Sequence, residues 1–373
     1  MNGEAMQKLT FRFLAAGVAA ASLATVAHAQ YNITYLNPTG YSESEGHSLA
    51  GSTQLGWGTG PSGNSHALLW TGTAASAIDL NPTGFTQSFG NGVFGSAQFG
   101  YGTTTGSDHA LLWHGSAGSF LDLNPSGFTS SHGRAISATN QVGDGTTFSG
   151  ATHALLWTGT AASAVDLNPA AYTSSAAFGT SGTNQIGYGT ASNGTAHALL
   201  WSGSAGSAVD LTPTGYSNTY GSGISGSTEV GEGYGSATAN RNHAMIWQGS
   251  AASFTDLQPT GFLFSQGWSI SGNEEVGWAW NNSASPDFHA YLWKGTAASA
   301  VNLQNYLPSV YTMSMAFGVD SSTGDIVGLA YNSQLGTDVA VMWTPAPEPC
   351  SMIALAFGVG AILRRRYRSS SAV

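Results

Sequence analysis

Between Gln30 and Thr344 the apolar residues fall in short runs divided by clusters of Gly, Thr, Ser and Pro, and no stretch carries helical periodicity. One stretch reads Arg134-Ala135-Ile136-Ser137, then Gln141-Val142-Gly143-Asp144-Gly145, then His153 to Trp157, then Ala164-Val165-Asp166-Leu167, closed by Asn168-Pro169. Four short strands per unit are predicted, and the body is all-β. The third string recurs as His66 to Trp70, His109 to Trp113, His153 to Trp157, His197 to Trp201, His243 to Trp247 and His289 to Trp293, at intervals of 43, 44, 44, 46 and 46 residues. A degenerate copy, Val339 to Trp343, follows fifty residues on. Four-stranded propeller blades have this period, about 40–45 residues.

The third and fourth strands form a hairpin. His66 and Asp79 are thirteen residues apart, as are His109 and Asp122, His153 and Asp166, His197 and Asp210, and His243 and Asp256. A symmetric turn at Gly72-Thr73 puts His66 opposite Asp79, Leu68 opposite Ala77 and Trp70 opposite Ala75 on one face. Ala67, Leu69, Ile78 and Leu80 take the other, so both faces are largely apolar, as stacked blades require.

The chain ends imply a closed ring. Tyr35-Leu36-Asn37-Pro38-Thr39-Gly40-Tyr41 matches the fourth-strand segment Asp79 to Phe85 but precedes any complete unit, and the last unit stops at Trp343-Thr344 without a fourth strand. The expected fold is a seven-bladed β-propeller of four-stranded blades over residues 30–344, with the N-terminal strand completing the last blade. Val339 and Tyr35 stand at the His and Asp positions of that blade, so both polar members are absent together. A stacked solenoid also repeats, but has no use for the displaced strand.

The two ends read as address labels. Lys8 and Arg12 precede the apolar run Phe13 to Ala27, and Ala27-His28-Ala29 supplies a cleavage site before Gln30, so residues 1–29 read as a cleavable signal peptide. Without the two labels the body keeps three cations, Arg134, Arg241 and Lys294, against seventeen acids. That balance argues against nucleic acid and against anionic lipid. The single cysteine, Cys350, lies in the tail, so the body has neither disulfides nor thiolate metal sites.

The repeats resemble the HAF family of extracellular repeats, here with a His-Ala-Leu core, over roughly residues 31–344; the family implies no agreed activity. A looser likeness is to WD-repeat propellers, which also pair a blade His with an Asp. Residues 345–373 resemble the PEP-CTERM sorting signal: Pro347-Glu348-Pro349 is the motif, Ser351 to Leu363 the hydrophobic helix, and Arg364, Arg365, Arg366 and Arg368 the basic stop. Cys350 replaces the commoner serine. The resemblance implies processing by an exosortase, a membrane transpeptidase of Gram-negative bacteria that make exopolysaccharide. The expected route is general secretory export and transient inner-membrane tethering facing the periplasm, then the cell surface or the extracellular space. A basic cluster held on the cytoplasmic side fits that topology. The apolar run, about thirteen residues, is short for a span of about 20 and suits a transient stop.

Chemistry is sparse. One imidazole and one carboxylate per blade, with Asn302 replacing Asp beside His289, fall short of a metal site, and the repetition suits a buried structural hydrogen bond in each hairpin. No Gly-x-Ser-x-Gly elbow, calcium loop or phosphate-binding loop occurs. No catalytic residue, cofactor or metal is implied. The loops between second and third strands vary, marking their face as a binding surface, and Trp268, Trp278 and Trp280 near one of them suit sugar stacking or core packing. Glu229, Glu232, Glu274 and Glu275 are the carboxylates that an enzyme would draw on. The expected function is a structural or ligand-binding role in an exopolysaccharide matrix; the alternative is a propeller hydrolase or lyase acting on that polysaccharide.

Overall fold

The computed structural model describes residues 30–281 and 287–347. Residues 1–29, expected to be a signal peptide, Glu348, Pro349, the apolar run, Arg364, Arg365, Arg366 and Arg368 lie outside the described residues. Among the described residues no helix is long and apolar enough to cross a membrane. Asn32–Thr344 forms one compact unit; the flanks form a second, in which Ala346 N–H donates to the Gln30 carbonyl at 2.7 Å.

The unit Asn32–Thr344 is the expected seven-bladed β-propeller. Blade 1 is Glu43–Ala50, Thr53–Thr59, Ser65–Trp70 and Ile78–Asp79, hydrogen-bonded in sequence order, and blades 2 to 6 repeat it. Blade 7 takes Tyr311–Asp320, Asp325–Asn332 and Thr337–Pro345 from the end of the chain and Tyr31–Tyr35 from its beginning. One repeated bond fixes the outer pairing: Leu80 N–H donates to the Ala67 carbonyl at 2.9 Å, Leu167 to Ala154 at 2.9 Å, and across the seam Leu36 to Ala340 at 2.8 Å. Tyr35, where five of the other blades carry Asp and one Asn, stacks on Tyr311 at 5.0 Å.

Blade joins blade through the alanine of the His-Ala motif. Its carbonyl serves the fourth strand of its own blade, and its N–H donates to a buried hydroxyl on the first strand of the next. The acceptors are Ser88 for Ala67, Ser131 for Ala110, Ser175 for Ala154, Thr219 for Ala198, Ser265 for Ala244 and Ser314 for Ala290, at 2.8–3.0 Å. Ala340 N–H closes the ring on Ser44 at 3.1 Å. Several hydroxyls also donate onward to the turn before their strand: Ser131 to Asn124 at 2.8 Å, Ser175 to Asn168 at 2.7 Å and Ser265 to Gln258 at 2.6 Å. Apolar packing surrounds each clasp. At the seam Leu36, Leu49, Leu68, Trp70, Val327, Ala340 and Met342 form one buried cluster.

Three expectations need correction. The fourth strand pairs Asp79 with Leu68 and Ile78 with Leu69, two residues away from the symmetric register. The cause is the turn, which winds Ala74–Ser76 into a 3₁₀ segment, with the Ser76 hydroxyl donating to the Thr73 carbonyl at 2.6 Å and accepting from Thr71 N–H at 2.8 Å. A slip of two keeps every side chain on its expected face. Second, the fourth strand shrinks to Val165–Asp166 where four residues were expected. Third, the first strand is longer, Phe128–Ile136, and Arg134 lies near its end.

Ser131→Ala strands the Ala110 N–H in a buried site and is expected to cost about 1–3 kcal/mol. Ser44→Ala should cost about as much, although its donor is 296 residues away. Denaturant unfolding of both variants checks this; a neutral Ser44→Ala would contradict closure.

Candidate functional site

Blades 3, 4 and 7 skip Thr129, Thr173 and Thr312 near the start of the first strand, and in every blade the pairing of first with second strand skips a residue further on: His47, Asn91, Arg134, Phe178, Ser222, Trp268 and Phe317 in blades 1 to 7. These are β-bulges, which re-aim a side chain out of the ladder. The seven that recur in every blade line one cavity of about 440 Å³ at the centre of the ring. The next residue is Ser48, Gly92, Ala135, Gly179, Gly223, Ser269 or Gly318, small because the first strands converge there: a Cβ on Gly179 would lie 3.1 Å from Gly223 Cα. The ring of skipped residues is two-sided. Blades 1 to 3 offer His47, Asn91 and Arg134; blades 4 to 7 offer Phe178, Ser222, Trp268 and Phe317.

A second tier comes from the middle of each second strand: Trp57, Tyr101, Asp144, Tyr188, Glu232, Trp278 and Leu329. Glycine precedes each because the bulged strand presses close; a Cβ on Gly143 would overlap the His132 carbonyl oxygen. Ring contacts run along much of the wall. Trp57 meets Phe89 edge-on at 5.5 Å, Phe89 stacks on Tyr101 at 4.9 Å, and Tyr101 meets the edge of His132 at 4.8 Å. Across the cavity Trp268, Trp278 and Phe317 lie 5.5–5.8 Å apart, and Phe317 stacks on His47 at 4.7 Å.

The polar arc is held from behind. Buried Asp144 accepts from Arg134 Nε at 2.8 Å and bonds His132 Nδ1 at 2.8 Å, while Asp108 reaches His132 Nε2 at 3.1 Å. Burial alone would depress the His132 imidazole and raise the Asp144 carboxyl. The hydrogen bonds between them, with the charge of Arg134 on Asp144, reverse both, leaving His132 above and Asp144 below its ordinary range. Arg134 also lies over the Phe178 ring, 5.4 Å from its centroid. Asn91 Nδ2 donates to the Gly133 carbonyl at 2.7 Å.

The repeated pairs lie elsewhere. His66–Asp79, His109–Asp122, His153–Asp166, His197–Asp210 and His243–Asp256 are hydrogen-bonded at 2.6–2.7 Å, and Asn302 Nδ2 lies 3.0 Å from His289 Nδ1. They sit at the outer rim instead of being buried: the aspartates are 39–46% exposed, because the fourth strand is a two-residue edge. Each aspartate also accepts the N–H two residues on, as Asp79 does from Asn81 at 2.8 Å.

Glu229 and Glu275 replace the buried glutamines of other blades. They accept the Gly249 and Gly295 N–H at 2.9 and 2.8 Å, as Gln54 accepts Gly72 N–H at 2.7 Å. Glu274 pairs with Lys294 at 2.7 Å. Of the four carboxylates singled out in the sequence, only Glu232 stands in the second tier. Trp268 lines the axial cavity and Trp278 packs against it, while Trp280 stacks on Phe264. Pro347 is exposed. Among the described residues no group of three His, Cys, Asp or Glu is placed to hold a metal ion. His47, Asn91, His132 and Asp108 were missed; for the bulged positions the available signal was a changing residue after a Gly or Ala in each first strand.

No protein-family model matches this chain, and no curated protein sequence matches it. Solved structures share its fold. An oligogalacturonate lyase in complex with manganese is 11% identical with a TM-score of 0.51, over 85% of this chain and 97% of that one. An oligogalacturonate lyase from Vibrio parahaemolyticus is 10% identical with a TM-score of 0.50, over 86% and 98%. TolB from Acinetobacter baumannii is 11% identical with a TM-score of 0.48, over 71% of this chain and only 64% of TolB. At these identities the likeness to the two lyase structures concerns the fold alone.

Burial pushes Glu232 up to about 7, against the pull of the Asn242 amide that donates to it at 2.8 Å. The folded chain thus keeps a proton that the unfolded chain releases from about pH 4.5 upward, so stability falls as pH rises toward 7. Glu232→Gln should remove roughly 3 kcal/mol of that fall. Denaturant midpoints at pH 5 and pH 8 check it; an unchanged slope would contradict the burial of this carboxyl.

Proposed function

We propose that this protein is a secreted propeller that binds saccharide at the mouth of its axial cavity, as a ligand-binding component of an exopolysaccharide matrix. One observation carries the reading. Everything that holds the ring repeats from blade to blade, while the seven residues delivered to the axis by the bulges do not. A two-sided ring of this kind suits a pyranose, whose C–H face stacks on Trp268 and Phe317 while its hydroxyls meet Arg134, Asn91 and His47. The cavity volume lies within the range of small-ligand sites, about 300–1,000 Å³. The names of the lyase structures that share the fold are compatible with a sugar ligand.

The sorting tail supports extracellular delivery. In this reading an exosortase processes the chain at Pro347-Glu348-Pro349 after transient inner-membrane association. A second reading, a hydrolase or lyase on the same polysaccharide, draws on His132 beside the cavity. Both ring nitrogens of His132 are engaged by carboxylates, which suits holding Arg134 in place better than proton transfer to a substrate.

Trp268→Ala and Arg134→Ala should each weaken binding of the best oligosaccharide from a glycan array by about tenfold or more. Isothermal titration measures the affinity and a melting curve confirms folding; two folded variants with unaltered affinity would defeat the reading. Pro347→Ala with Pro349→Ala, expressed in a host that makes an exosortase, should leave the chain in the inner-membrane fraction. Normal release would remove the sorting assignment.

A further inference from the structure

The repeat supplies its own control for the junction of blades 7 and 1. Beside the channel, the residue preceding the His position of one third strand approaches the residue two before the bulge of the next blade. Between blades 2 and 3 these are Asp108 and His132, an attractive pair at 3.1 Å. Between blades 6 and 7 they are Phe288 and Met315, in an apolar cluster. Between blades 7 and 1 they are Asp338 and Glu45, two carboxylates lining one cavity of about 420 Å³ with Phe288, Phe317 and Tyr331.

Among the described residues no Lys or Arg answers them. Arg134 is engaged by Asp144 and Lys294 by Glu274, and Arg241 lies in the loop before the third strand of blade 5. Glu45 bonds His47 Nε2 at 2.9 Å, and Glu43 close by accepts from the Thr59 hydroxyl at 2.8 Å. The Asp338 carboxylate has no hydrogen-bond partner among the described residues. Burial, then the charges of Glu45 and Glu43, raise its carboxyl to about 6. Like charges facing across a partly desolvated space are destabilising, and here they stand where the equivalent junction carries an attractive pair.

The aromatic walls narrow the choice of cation. No three acidic or His side chains among the described residues converge as a metal requires. Rings beside carboxylates suit an organic ammonium, which gains from π-faces as well as from charge. Phe317 lines both this cavity and the axial one, so the two adjoin at its ring.

We propose that the saccharide carries a primary ammonium group, as a deacetylated amino sugar does, seated between Glu45 and Asp338 with its ring against Phe317. This rests on the saccharide-binding reading and names its ligand class. The body's strong excess of acids would draw such a ligand in and repel a polyuronate.

The test is titration of the full chain with glucosamine tetramer, N-acetylglucosamine tetramer and galacturonate tetramer. The glucosamine tetramer should bind at least about tenfold more tightly than the other two, and more weakly as salt rises. Asp338→Asn should remove most of that preference while leaving the N-acetylated tetramer unaffected. It relieves a like-charge contact, so its melting temperature should not fall, and a lost preference cannot be assigned to unfolding. Equal affinities, a preference for either other tetramer, or an unchanged preference in Asp338→Asn would overturn the ammonium site while leaving saccharide binding intact. Absence of binding to every saccharide on the array would overturn both.

Discussion

The ring rests on a hydrogen bond with nowhere else to go. In each blade the alanine of the third strand lies with its carbonyl turned to its own outer strand and its N–H turned to the neighbouring blade, where water is excluded. A hydroxyl on the next first strand accepts that N–H in all seven junctions. Without the hydroxyl a buried donor would stand unpaired, and without the small alanine the neighbouring strand could not approach. Packing supplies most of the cohesion, but this bond sets how far each blade advances along its neighbour.

Blade spacing in turn determines what reaches the axis. First strands that crowd together around a centre cannot all keep their side chains in the ladder, and a bulge at the same place in every blade relieves the crowding. The residue expelled by each bulge contributes little to the ladder, so it is open to chemical choice. Fixed and variable positions thus lie close together: Ser131 is held by the ring, while Arg134, three residues on, is free of that demand.

The blade number, the four strands and the closure were legible because the repeat counts seven third strands, and a fourth-strand segment at the front, Tyr35 to Tyr41, matches the one missing after Thr344. The site was less legible. A bulge breaks the two-residue alternation, so the stretch Phe128 to Gly133 carries no strand pattern, and the expected first strand began only at Arg134. Ser131 likewise looks like a loop residue until its neighbour is in place. Cross-blade contacts such as Asp108 with His132 join residues whose pairing depends on twist and spacing, which local periodicity does not encode. The His and Asp pairs, the loudest polar signal, belong to an exposed edge, which an even thirteen-residue spacing cannot distinguish from a buried one.

The seam in blade 7 has a temporal side. Tyr31–Tyr35 is made before the rest of the propeller and its partner, Thr337–Pro345, after it, so the first strand waits for nearly the whole ring. Contacts of such long range are slow to form and leave an apolar edge exposed meanwhile. The six covalently continuous blades can assemble in passing; the seventh is completed only after the last repeat has been made. By then the Pro-Glu-Pro motif is the next segment to emerge, so in this chain the completion of the ring and the arrival of the C-terminal tail nearly coincide.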